Sequence, residues 1–189
     1  MSNSLTIVNG SLLDMSAQNR KSLAETFIGC DCVIIVDTSR SMDEKDSRGG
    51  LSRYEVARQE LASLQKTLPG KLAVISFSTD PMFCPGGTPQ YFGASTNLAK
   101  ALEFAKIADV AGIRFIVISD GEPDSAEAAL NAASKFRGKI DVVYVGPESR
   151  PTGRDFLARL AAQSGGTSVT ADRVMELAEK TLMLLGTRQ

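Results

Sequence analysis

Short apolar runs alternate with longer helical patterns along this chain, and that alternation restricts the fold more than any other feature. The runs are Val33–Val36 ending at Asp37, Leu72–Phe77, Ile113–Ser119, Ile140–Val145 and a weaker one at Thr167–Val169. Four of them are nearly continuous apolar stretches, the pattern of strands buried on both faces of a parallel sheet. Between the runs, Tyr54, Val56, Ala57, Leu61, Leu64 and Leu68 recur at helical spacing. So do Leu98, Ala101, Leu102 and Ala105, then Ala126, Ala129, Leu130 and Ala133, then Phe156, Leu157 and Leu160. A last helix is expected from about Ala171 to Leu185, with Val174, Leu177, Leu182 and Leu185 as its apolar face. Parallel strands need crossover connections. The pattern therefore predicts an α/β fold: a doubly wound, mostly parallel, Rossmann-like sheet flanked by helices on both faces.

At 189 residues the chain is long enough for one well-buried core and short for two. No internal repeat, low-complexity tract or interdomain linker interrupts it. Residues 1–29 are expected to form an extension with one helix, Met15 to Phe27, capped by Asp14 or Ser16. That extension packs on the domain formed by residues 30–189.

Composition removes several functions. With 21 basic and 22 acidic side chains, the net charge of −1 gives no electrostatic footprint for nucleic acid. No polybasic cluster suggests a membrane surface. The early apolar stretches, Leu5–Val8 and Leu12-Leu13, are too short for a signal-peptide core, and nothing approaches a membrane span. Cys30, Cys32 and Cys84 are few and odd in number, as expected of free thiols in a reducing cytoplasm. Cys30 and Cys32 alternate into an apolar strand and read as small core hydrophobes. The absence of histidine excludes Ser-His-Asp and Cys-His catalysis and the usual zinc sites.

In an open α/β sheet, ligands bind beyond the carboxyl ends of the strands. The first run is followed by Asp37-Thr38-Ser39-Arg40-Ser41, and the third by Asp120-Gly121-Glu122-Pro123-Asp124. Gly93-Ala94-Ser95-Thr96-Asn97 precedes a helix between them. Asp37, Ser39 and Ser41 are alternate residues, so an extended strand end would project all three to one side. A carboxylate and two hydroxyls are hard oxygen donors, suited to Mg²⁺, Mn²⁺ or Ca²⁺. Thr96 and Asp120 stand where they would complete the shell. Each piece taken alone reads more readily as a helix cap; their order along one crevice favours a metal site.

Asp37-Thr38-Ser39-Arg40-Ser41 resembles the D-x-S-x-S signature of the von Willebrand factor A domain family, with Thr96 and Asp120-Gly121 matching that family's later threonine and Asp-Gly. The resemblance covers roughly residues 30 to 185. It implies a metal-ion-dependent adhesion site in which Ser39, Ser41 and Thr96 hold the ion directly or through water. Asp37 and Asp120 would act directly or through bound waters and orient the hydroxyls. The open coordination position would take a carboxylate from a partner protein, an ATPase or other complex component among the candidates, with no reaction catalysed. Arg40 stands where family members often carry Gly, and Ala94-Ser95 where they often carry glycines.

The segment from Met42 to Leu51, with Asp43, Glu44 and Asp46, is expected to form a rim of the site and is a weak candidate for a second cation. The competing readings are a Mg²⁺-dependent phosphotransferase of haloacid dehalogenase type and a fold with a vestigial site. The former needs a second Asp two positions after the first, where this chain has Ser39. Nucleotide binding lacks both G-x-G-x-x-G and G-x-x-x-x-G-K-[ST].

Overall fold

The computed structural model describes residues 6–46, 48–110, 113–146, 151–170 and 183. The helix expected over Ala171–Leu185 falls outside the described residues.

Strand β1 (Cys32–Asp37) lies inside the sheet, buried at every position. It pairs in parallel with β2 (Leu72–Phe77) on one side and β4 (Arg114–Ser119) on the other. Beyond β2 the sheet ends in antiparallel β3 (Pro81–Phe83), and beyond β4 it continues, in parallel, through β5 (Ile140–Tyr144) and β6 (Ser168–Thr170). The order is β3-β2-β1-β4-β5-β6, a mostly parallel, doubly wound sheet as the apolar runs predict. β3 is the strand that the runs do not announce. It is three residues long, begins with proline and is only partly buried. An edge strand tolerates proline because one side of its ladder has no neighbour to receive an N–H.

The crossover helices are α3 (Arg53–Thr67), α4 (Leu98–Ala105), α5 (Ala126–Ser134) and α6 (Pro151–Ser164). Val33, Ile35, Phe115, Val117 and Val142 face α4, α5 and α6 through Leu102, Ala129 and Leu157. On the opposite face Ile34, Val36, Val74 and Ile116 pack with Val56, Leu61 and Leu64 of α3. Each helix opens on a residue that the backbone geometry requires. Ser52 and Glu55 form a reciprocal capping box at α3, Asn97 caps α4 and Ser125 caps α5. Pro151 takes the first position of α6, where a missing N–H costs no intrahelical bond. Asp141, a charge inside β5, is matched by Arg114 of β4 (Nη2 to Oδ2, 2.5 Å), while its Oδ1 accepts the Thr167 amide at 2.7 Å.

The extension differs from its expected form. In place of one helix over Met15–Phe27 there are two, α1 (Leu12–Asn19) and α2 (Leu23–Ile28). Arg20, in the left-handed region at φ 52°, ends the first. The caps are Ser11 and Ser22, not Asp14 or Ser16, and Ser22 forms a capping box with Glu25. That Ser-x-x-Glu spacing is visible in the sequence and marks the second start. The extension touches the sheet domain where Leu13 N donates to Pro85 O and Val8 N to Gly86 O, both at 2.9 Å.

All three cysteines are buried and unpaired. Cys30 and Cys32 nonetheless enter opposite core clusters, because the strand begins only at Cys32 and strict alternation does not reach back to Cys30. Burial pushes the Cys30 thiol up to about 12 and raises that of Cys32 further, so neither is a reactive thiolate.

Leu61 is fully buried on α3 against the β1–β2 face. Leu61→Ala is expected to cost about 2–5 kcal/mol of unfolding free energy in urea titrations, with an unchanged denaturant slope.

Candidate functional site

β1 and β4 are adjacent in space but their connections run to opposite sides of the sheet, so a crevice opens where they end. Asp37 is the last residue of β1, and Asp120 follows the last residue of β4. Both carboxylates are buried, at 0% and 6% exposure.

Asp37 is held by the chain's own donors. Its Oδ1 accepts the Ser39 amide at 2.8 Å and its Oδ2 accepts the Ser119 hydroxyl at 2.6 Å. Ser119 Oγ in turn accepts the Gly121 amide at 2.9 Å. Ser119 thereby ties the two strand ends together, a role that its position at the end of an apolar run hints at but does not specify. Asp120 is treated differently. Its Oδ2 accepts from Arg53 Nη1 at 3.3 Å, while its buried Oδ1 has no hydrogen-bond partner.

The hydroxyls of Ser39 and Ser41 lie 3.3 Å apart. They do not converge through an extended strand end, as alternation suggests. The strand stops at Asp37, and Arg40–Asp43 folds into a single turn of 3₁₀ helix that swings Ser41 back toward Ser39. Gly121, with φ 81°, turns the chain after Asp120 under the first turn of α6. A Cβ there would come within 2.2 Å of the Gly153 carbonyl, so glycine is required.

Thr96 sits on the neighbouring loop. Gly93 N donates to Thr38 O at 3.0 Å and Arg40 N to Ala94 O at 3.3 Å, which lays this loop alongside the Asp37–Ser41 segment. Thr96 itself is clasped by Asp124, whose Oδ1 accepts the Thr96 amide at 2.9 Å and whose amide donates to Thr96 O at 3.0 Å. The structure therefore brings Asp37, Ser39, Ser41 and Asp120 to one crevice and places Thr96 on the adjoining loop. Sequence reasoning missed Ser119, Asp124 and Arg53.

Burial first, and then the nearby Asp120 charge, push the Asp37 carboxyl up to about 6 against the opposing hydrogen bonds from Ser119 and Ser39. The donor set is two carboxylates and a pair of hydroxyls, with no nitrogen or sulfur, and a buried carboxylate oxygen without a donor. That chemistry fits a hard divalent cation and no softer metal. No group of three His, Cys, Asp or Glu side chains suited to a metal occurs among the described residues, so any ion here must draw on hydroxyls. The rim carboxylates Glu44 and Asp46 both bind Arg53, so the candidate second cation site already contains a cationic group.

No sequence-family profile matches the chain, and no curated protein does. Solved structures do. The fold is that of von Willebrand factor type A domains: such a domain from Catenulispora acidiphila superimposes with a TM-score of 0.57 at 17% identity, over 82% of this chain and 41% of that one. An aerotolerance-related membrane protein from Bacteroides fragilis gives 0.63 at 18% identity, over 84% of this chain and 99% of that one. The manganese-loaded TRAP protein of Plasmodium vivax gives 0.52 at 14% identity, over 82% and 71%. Among the described residues of the present chain, no helix is long and apolar enough to cross a membrane.

Asp37 holds its proton more tightly folded than unfolded. Between its ordinary value of 3.8 and about 6 the folded state carries the extra proton, so this group's contribution to stability declines as pH rises through that window. Chelator-treated wild type is expected to lose melting temperature relative to Asp37→Asn as pH is raised from 4 to 6.5. Parallel pH profiles for the two proteins would contradict this account of Asp37.

Proposed function

We propose that this chain is a protein-binding domain that takes one divalent cation, Mg²⁺ or Mn²⁺, in the crevice between β1 and β4 and engages a partner's carboxylate through it. The observation that carries this reading is the Asp120 Oδ1 atom, buried without a donor beside a second buried carboxylate and two hydroxyls. A buried carboxylate oxygen left without a donor is unfavourable, and a cation is the natural complement. Ser39, Ser41 and Asp120 would hold the ion, with Thr96 added from its own loop. Asp37 would act through bound water and by fixing the Ser39 backbone. The ion would supply an open coordination position for an acidic side chain, and an ATPase or another component of a complex is a suitable partner class.

The arrangement argues against phosphoryl transfer. Position 39 offers a hydroxyl in place of the acid–base carboxyl that this chemistry needs two residues after the first Asp. We read the domain as non-enzymatic. Its three buried thiols suit a reducing cytoplasm.

Calorimetric titration with Mn²⁺ and with Mg²⁺ tests the reading. Wild type is expected to bind one ion and to melt higher in its presence, and Asp120→Ala to abolish both effects. A wild type that gives no heat and no change in melting temperature at millimolar ion would refute it.

A further inference from the structure

Arg53 is the first residue of α3 and has 0% exposure, which is unusual for a guanidinium. It reaches two parts of the molecule at once. On one side Nη1 lies 3.3 Å from Asp120 Oδ2 and 3.5 Å from the Ser41 carbonyl oxygen. On the other, Nε and Nη2 grip the Asp46 carboxylate at 3.0 and 2.6 Å, and Nη2 also donates to Glu44 Oε2 at 2.8 Å. The rim carboxylates are the partly exposed members of the cluster, at 43% and 36% for the Glu44 and Asp46 side chains. The contact to Asp120 is the longest of the ionic contacts. The guanidinium is thus shared, with the rim holding the larger part of it.

We propose that Arg53 is the positioning residue of the ion site, and that Glu44 and Asp46 set how tightly the site holds a divalent cation by neutralising it. The inference rests on the ion reading for its effect on affinity. Arg53 restrains Asp120 by one oxygen and leaves the other presented to the crevice. It also puts a permanent positive charge beside the place where a cation must enter, in surroundings too poorly hydrated to screen it. The paired rim carboxylates offset that charge. The rim loop therefore acts on the ion without touching it, and any event that pulls the loop away from Arg53 weakens ion binding.

The test compares two doubly substituted proteins that lose equal charge. Glu44→Gln with Asp46→Asn removes the partners of Arg53. Asp43→Asn with Glu122→Gln removes two exposed carboxylates that flank the same crevice. Mn²⁺ affinity is expected to fall about tenfold in the first, the scale of losing an outer partner of a metal site, and no more than about twofold in the second. Equal losses in the two proteins, or no loss in the first, overturn the proposal. A second readout needs no ion. In chelator-treated protein, Asp120→Asn is expected to raise amide hydrogen exchange at Met42 and Glu44, whose N–H groups close the rim turn. Unchanged exchange there shows that Arg53 does not link Asp120 to the rim and overturns the proposal. If wild type binds no Mn²⁺, the ion reading fails alone, and the exchange result decides the positioning role.

Discussion

Two carboxylates, Asp37 and Asp120, are buried at the ends of neighbouring parallel strands, and the loops around them are organised by the need to compensate that charge. Water is largely excluded, so each oxygen must find a donor or remain exposed to a strong field. Asp37 finds two donors, the Ser39 amide and the Ser119 hydroxyl. Asp120 finds one, from Arg53. The asymmetry divides the work: the carboxylate with a donor on each oxygen fixes the loop that carries the serine hydroxyls, while the other keeps one oxygen without a donor.

The sheet makes this arrangement affordable. β1 and β4 are enclosed by helices on both faces, so their ends cannot splay apart to relieve repulsion between the carboxylates. The register is set by strands buried on both faces along their length, where a slip of one residue would exchange the side chains facing α3 for those facing α4 and α5. Val36 pairs with Ile118, which brings Asp37 level with Ser119 and allows the 2.6 Å hydrogen bond between them. Polar geometry at the crevice is therefore dictated by apolar packing several residues away.

How much of this the sequence discloses depends on where the information resides. The parallel strands are legible because burial on both faces demands continuous apolar runs, and all five expected strands fall within a residue of their expected bounds at each end. β3 is not legible, since a partly exposed edge strand of three residues needs no such run. The break at Arg20 depends on a left-handed residue with no glycine to announce it, although the Ser22-Glu25 spacing marks the restart. The D-x-S-x-S spacing is legible as a motif, yet the meeting of Ser39 with Ser41 comes from a 3₁₀ turn that alternation does not describe. Arg53 is the least legible, because a charged residue opening an amphipathic helix reads as solvated until the loop before it is seen folded over it.

The fixed charge of Arg53 limits how the proposed site could be regulated. A guanidinium cannot lose its charge at any ordinary pH, so Arg53 cannot be switched off by titration. Its influence changes only if its partners move. Asp120 is anchored by the strand it follows, and the Ser41 carbonyl by the turn it belongs to. Glu44 and Asp46 belong to a loop outside the sheet and are the more exposed partners. Of the groups around Arg53, these two are the ones that a partner protein docking at the crevice can reach. On the proposed reading, contact with the rim and coordination at the ion are not independent events, because both draw on the same positive charge.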